Sequence, residues 1–278
     1  MEKEKNRDSQ VKILVCCHKP GIWLDNDVYM PIQCGKAVSN IDLGIQGDDM
    51  RDNISAKNSN YCELTAMYWA WKNLKDIDYV GLCHYRRFFN LQTHGWGRKC
   101  THIVNSWDKA AVSPSLIKTM LLRKDIILAK PDVYSCSVKK QYCIQHIKED
   151  LDMLRAVLIE KYPDFVSAYD FVMEKTNRIS PYNMFMTNRE LFQSYCEWLF
   201  DILFAVEKRI PLSGYPYQAR VFGFMAERLL NVYCRQYKLN VDYRQVCIRD
   251  DNRQDKSWLS YQAKRSYLNL LFYLGMKK

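Results

Sequence analysis

An imidazole, a phenol and two guanidiniums stand in a row at His84, Tyr85, Arg86 and Arg87. Adjacent guanidiniums offer planar forks of donors that match the oxygens of a phosphate or diphosphate. The four residues follow an apolar run, residues 79–83, with the composition of a central strand covered on both faces. Open α/β sheets bind ligands at the carboxyl ends of such strands, so this cluster is expected to hold the anionic part of a ligand. Arginines paired with acids at a sheet edge explain the same residues equally well.

A second apolar run, residues 11–17, ends at His18, Lys19 and Pro20 and marks another ligand-facing strand end. Lys19 could neutralise a phosphate there, although a surface lysine beside a proline turn is the simpler reading. Chemistry on a hydroxyl nucleophile needs a carboxylate or imidazole to take its proton. Glu227, after Gly-Phe-Met, is the first candidate, and His84, Asp48 and Asp49 are the others. A glutamate near a helix start also pairs with neighbours such as Arg220 or Arg228. His146 and Asp150, four apart, are expected to share a helical face, the spacing of an ordinary surface pair.

Three Asp-x-Asp spellings occur, at Asp25/Asp27, Asp76/Asp78 and Asp150/Asp152, and none follows a strand. No metal ligands are therefore assigned. If the chemistry is transfer from a nucleotide-diphosphate donor, Arg86 and Arg87 are expected to stabilise the departing diphosphate directly, with Mn2+ or Mg2+ as the alternative cofactor. The chain contains neither G-x-G-x-x-G nor a G-x-x-x-x-G-K-[ST] loop, so a dinucleotide dehydrogenase or P-loop NTPase lacks its usual support.

Positioning these groups requires a sheet with crossover helices. Asn60 and Glu63 fit a capping box that opens a helix to about residue 73, with Tyr61, Leu64, Tyr68 and Trp71 as its core-facing side. Strands are expected over 29–34, 125–130, 183–187 and 241–248, and helices over 115–123, 149–162, 190–208 and 219–237. Thr187 and Glu190 suggest a second capping box. Segments 47–53 and 91–113 read as a turn and a long excursion carrying His94 and His102.

The 278 residues, 48% of them hydrophobic, suffice for one large α/β domain over 11–255, after a flexible 1–10 segment. The 256–278 tail has five basic residues, no acidic ones and several aromatics. It suits either an interfacial helix on an anionic membrane surface or the last helix of the domain. A net charge of +10 favours an acidic partner. Eleven cysteines without a Cys-x-x-Cys pair, and a polar N-terminus, point to reduced thiols and a cytoplasmic location.

The strings NISAKNSNYCELTAMYWAWKN, YVGLCHYRRFF, YCIQHIKEDLD, YNMFMTNRELFQSYCEWLFDIL and RVFGFMAERLLNVY occur in this order. The chain thereby resembles a bacterial family, long described only as a domain of unknown function, from capsular, exopolysaccharide and O-antigen biosynthesis clusters. The resemblance implies a GT-A-like nucleotide-diphospho-sugar transferase fold with a mostly parallel sheet and a helical C-terminal part. Some relatives resemble galactofuranosyltransferases. By position it marks Asn53, Ser55, Asn58, Glu63, His84 to Arg87, His146, Asp150, Asn183, Arg220 and Glu227.

The resulting expectation is an inverting glycosyltransferase, peripheral at the inner face of the plasma membrane. Its donor is a nucleotide sugar and its acceptor a lipid-diphosphate-linked glycan. His18, Lys19, Asp48, Asp49, Asn53, Asn58 and Tyr85 to Arg87 fall to the donor, and His146, Asp150, Asn183 and Arg220 to the acceptor. A nucleic-acid-binding protein is the alternative, disfavoured because the aromatics follow amphipathic periodicity and no RNA-binding signature is present. A non-catalytic scaffold of the polysaccharide machinery is another.

Overall fold

A computed structural model describes residues 10–91, 103–104, 110–249 and 258–276. Nearly all of the expected flexible 1–10 segment lies outside these residues, as do His94 and His102. The chain opens with β1 (Val11–Cys17), β2 (Tyr29–Gln33) and β3 (Gln46–Gly47). Two helices, α1 (Asn58–Tyr61) and α2 (Leu64–Asn73), lead into β4 (Tyr79–His84), which turns back as β5 (Arg87–Phe89). Next come β6 (Ile103–Val104), α3 (Pro114–Leu121), β7 (Ile126–Ala129) and β8 (Asp132–Val133). Three helices follow, α4 (Val138–Gln145), α5 (Lys148–Lys161) and α6 (Val166–Lys175). Then β9 (Arg178–Ile179) and β10 (Phe185–Asn188) precede the long helices α7 (Arg189–Glu207) and α8 (Val221–Gln236). The last elements are β11 (Val241–Arg244), β12 (Val246–Arg249) and α9 (Trp258–Met276).

The central sheet has the order β11-β7-β10-β4-β1-β2-β3. It is parallel except for β10, which runs antiparallel to both β4 and β7. The expected α/β architecture with a mostly parallel sheet is thus the observed one. Continuous apolar runs arise because both faces are covered. Leu14 and Cys16 of β1 join a large core under the helices, while Ile13, Val15 and Cys17 join a smaller core on the other face. Gly81 lets β10 approach β4. A Cβ there would stand 2.8 Å from Met186 and 3.1 Å from the Phe185 carbonyl.

The helix expected over residues 60–73 is broken. Cys62 has φ 52°, which separates α1 from α2, and the Asn60 side chain donates to the Ala219 carbonyl at 2.8 Å. No capping box forms there; long-range bonding outcompeted the local cap. Trp71 stacks on Phe200 at 5.7 Å, consistent with a core role for that aromatic stripe. At α7 the cap is Asn188, one residue later than expected, accepting from Leu191 N at 2.8 Å. Thr187 Oγ1 instead donates to the Asp125 carbonyl at 2.7 Å.

The strand expected over 241–248 is two strands. They diverge at Gln245, with β11 joining β7 and β12 joining β5. Within α9, Phe272 is buried, while Tyr267, Leu270, Tyr273 and Leu274 are exposed. No helix among the described residues is long and apolar enough to cross a membrane.

Candidate active site

A cleft of about 770 Å³ opens at the carboxyl ends of β1 and β4 and at the start of α8. Hairpin geometry decides which charged residues reach it. His84 and Arg87 are paired across the two-residue turn between β4 and β5, so both project to one face and both line the cleft. Arg86, in the turn, is exposed and sends Nε to the Arg249 carbonyl at 3.0 Å. Of the two adjacent arginines, only Arg87 faces the cavity.

The opposite wall is built from α1, the break after it, and the start of α8: Asn58, Cys62, Glu63, Arg220, Phe224 and Glu227. His18 completes the rim, edge-on to Tyr85 at 5.0 Å. Two carboxylates thus sit among two guanidiniums and two imidazoles. Burial, then Lys19 and Arg220, lower the His18 pKa. Burial likewise lowers that of His84, against the pull of Glu63. His84 Nε2 lies 2.8 Å from the Tyr182 carbonyl, which can only accept, so Nε2 carries the proton and Nδ1 the lone pair.

One dipeptide ties these groups together. Tyr182 and Asn183 both have positive φ, 72° and 53°, the sterically costly left-handed region for side-chain-bearing residues. The Tyr182 N–H donates to Glu227 Oε1 at 2.9 Å, while its carbonyl receives His84. Its ring lies under the Arg87 guanidinium, 4.6 Å from centroid to Cζ. Asn183 Nδ2 donates to Glu63 Oε1 at 2.7 Å and to the Gly223 carbonyl at 3.1 Å. Strained backbone at a site is expected to be maintained by function. Glu227 Oε2 also pairs with Arg228 at 2.9 Å, and burial raises the Glu227 pKa in spite of that cation.

Several expected site residues lie elsewhere. Lys19 is exposed beside the cleft without lining it. Asp48 is fully buried and accepts from Gly35 N at 2.8 Å, Lys36 N at 3.1 Å and the Ser55 hydroxyl. Asn53 closes the same loop by donating to the Asp49 and Arg51 carbonyls. Asp48, Asp49 and Asn53 therefore shape the segment that leads to Asn58. At that junction Gly35 has φ 68°, and a Cβ on it would meet Asn58 at 2.5 Å.

His146 and Asp150 do not share a helix. His146 ends α4 in extended backbone and stacks on Phe224 at 3.9 Å, behind the cleft wall. Burial and Arg228 push its pKa down to about 4. Asp150 is buried in the first turn of α5, where burial, then Glu149, raise its carboxyl to about 6. The folded state therefore holds the Asp150 proton more tightly than the unfolded state does, so stability falls as pH rises from about 4 to 6. Asp150→Asn is expected to gain roughly 1 kcal/mol at pH 7, a figure reduced for solvent screening. Thermal melts should show that gain disappearing below pH 4.

Sequence reasoning overlooked Tyr182, Cys62, Tyr217 and Phe224 and reached Glu63 only through resemblance. A Pro-Tyr-Asn triplet before a strand is a turn signal that could have drawn attention to Tyr182.

The GT-A-like expectation brings with it the question of a divalent cation. Glu63 and Glu227 are each already bonded to amide or guanidinium donors, and arginines flank them. No group of three or more His, Cys, Asp or Glu suited to a metal occurs among the described residues. As they stand, these two carboxylates fall short of the set of oxygen ligands that usually holds a divalent cation.

No curated protein sequence matches the chain. A solved structure, the apo form of WbbM, a bifunctional glycosyltransferase, is similar, with 31% sequence identity and a TM-score of 0.80. The similarity covers 87% of this chain and 46% of that one, so the chain spans about half the length of that structure. A family model matches residues 12–238, which include every cleft residue named above, and the chain belongs to that family, described as a domain of unknown function, DUF4422.

Proposed function

We propose that the chain is a glycosyltransferase, GT-A-like in fold, that moves a sugar from a nucleotide-diphosphate donor to a glycan acceptor within this cleft. The observation that carries the reading is Arg87. It is fixed over Tyr182 and faces the cavity, yet its buried Nε has no hydrogen-bond partner among the described residues. No ion-pair partner neutralises this guanidinium among the described residues, so its charge stays available to an anionic ligand in the cavity. Arg87, with Arg220 across the cleft, holds the donor diphosphate and stabilises charge on the leaving group. His18, Asn58 and Tyr85 border the nucleotide. A UDP-sugar, galactofuranose included, and a lipid-diphosphate-linked acceptor are the finer forms of the proposal, which also has the enzyme act at an anionic membrane surface.

Glu227 serves as the base that takes the acceptor hydroxyl's proton while the anomeric carbon is attacked with inversion. Its raised pKa makes it a better base than an ordinary glutamate, and Tyr182 and Arg228 fix its orientation. His84, neutral and protonated on Nε2, offers Nδ1 as an acceptor for a sugar or ribose hydroxyl.

Thermal-shift measurements against UDP-, GDP- and dTDP-sugars, with and without manganese, test the assignment. One nucleotide class should stabilise the protein without added metal. Absence of any shift, or a shift seen only with manganese, would count against the arginine-held diphosphate.

The pH profile follows from Glu227. The base must be ionised, so kcat/KM should rise with pH through a value above the ordinary glutamate range. Glu227→Gln should lower kcat by about 10²- to 10⁴-fold and flatten that limb. A profile unchanged in Glu227→Gln would move the base to another residue.

A further inference from the structure

A second cavity, about 700 Å³, lies at the other end of α8, bordered by β7, β11, α6 and α9. Among the described residues five cationic ones line it, Lys130, Arg178, Arg235, Lys238 and Arg265, and no carboxylate does. That is an unusual concentration of one sign of charge in a concave, partly apolar setting. Like charges gathered this way repel one another, and an anion among Arg178, Arg235 and Arg265 relieves that repulsion.

Neutral groups hold the guanidiniums in place. Arg235 lies 3.7 Å from the centroid of the Phe171 ring. Arg265 donates to the Pro131 carbonyl at 2.6 Å and to the Tyr261 hydroxyl at 3.0 Å. Arg178 reaches Asn269 Oδ1 at 3.3 Å. The arginines are therefore oriented while their charge stays available. Pro131, Val172, Leu239 and Val241 supply apolar wall between them, and the rings of Phe171 and Tyr243 are exposed at 39% and 45%.

We propose that this cavity is a second ligand site, for an amphiphile that carries a phosphate or diphosphate beside an apolar chain. Guanidinium forks match the phosphate oxygens, and the proline, aliphatic and aromatic surface matches the chain. A nucleic acid backbone would present the charge without the aliphatic part. The site is separate from the cleft. Glu227 and Arg235 are eight residues apart on α8, or about 12 Å along its axis at the usual helical rise. The inference stands whether or not the cleft transfers sugar.

Calorimetric titration of the full chain tests it, in an Arg87→Ala, Arg220→Ala background that removes both guanidiniums assigned to phosphate in the cleft. Inorganic pyrophosphate should still bind, and farnesyl diphosphate should bind about tenfold or more tightly than pyrophosphate, through its buried hydrocarbon. Adding Arg178→Gln and Arg235→Gln, both at exposed positions, should weaken both ligands by about tenfold or more. An unchanged melting temperature will show that the fold is intact, and Lys238→Gln provides an independent loss of charge. Pyrophosphate binding insensitive to these changes would overturn the site. Equal affinity for the two diphosphates would overturn its amphiphilic character, and tighter binding of a short single-stranded oligonucleotide at the same residues would assign it to nucleic acid instead.

Discussion

Arg87→Ala is expected to lower kcat/KM for a nucleotide-sugar donor by about 10²- to 10³-fold, or ~3–4 kcal/mol of transition-state stabilisation. The same substitution at Arg86 should change it by less than about threefold, as usual for a solvent-exposed charge. The contrast follows from the β4–β5 hairpin. Arg87 is in register with His84 and shares its face, whereas Arg86 occupies the turn and bonds the Arg249 carbonyl. Arg87→Lys should recover little, because an ammonium cannot form two parallel hydrogen bonds to a diphosphate. Steady-state kinetics on the three variants, with donor thermal shifts as a second readout, will decide. Equal losses at positions 86 and 87 would show that the hairpin rearranges when donor binds.

That pair of neighbours illustrates what a sequence can and cannot reveal about this protein. The apolar runs of β1, β4 and β7 were legible because strands covered on both faces need apolar residues at every position. Helices α5, α7 and α8 were legible from their periodicity, within one or two residues. The location of the cleft was readable too, since chemically capable residues gather after β1 and β4. Facing directions were not. Whether Arg86 or Arg87 points inward depends on a two-residue turn, and HYRR gives no hint of its phase. The break at Cys62 was hidden because its cause is distant: the Ala219 carbonyl recruits Asn60 across 159 residues. His146 and Asp150 keep helical spacing in a stretch where α4 ends and α5 begins between them.

Tyr182 and Asn183 were the least legible, and they carry the second large expectation. Asn183→Ala should destabilise the protein by ~3 kcal/mol and lower kcat by at least about tenfold. Three losses combine. Alanine tolerates the left-handed backbone less well than asparagine, by about 1 kcal/mol. Glu63 loses a charge-assisted hydrogen bond, and the Gly223 carbonyl loses its side-chain donor. Asn183 is only 2% exposed, so water has little access to replace either bond. Asn183→Gly separates these terms. Glycine accepts φ 53° freely, so its variant should recover about the 1 kcal/mol of backbone strain yet stay as inactive as the alanine variant. Chemical denaturation with parallel kinetics reads both quantities. If glycine restored activity as well as stability, the amide of Asn183 would have no part in holding Glu63, and the dipeptide would serve the cleft only through Tyr182.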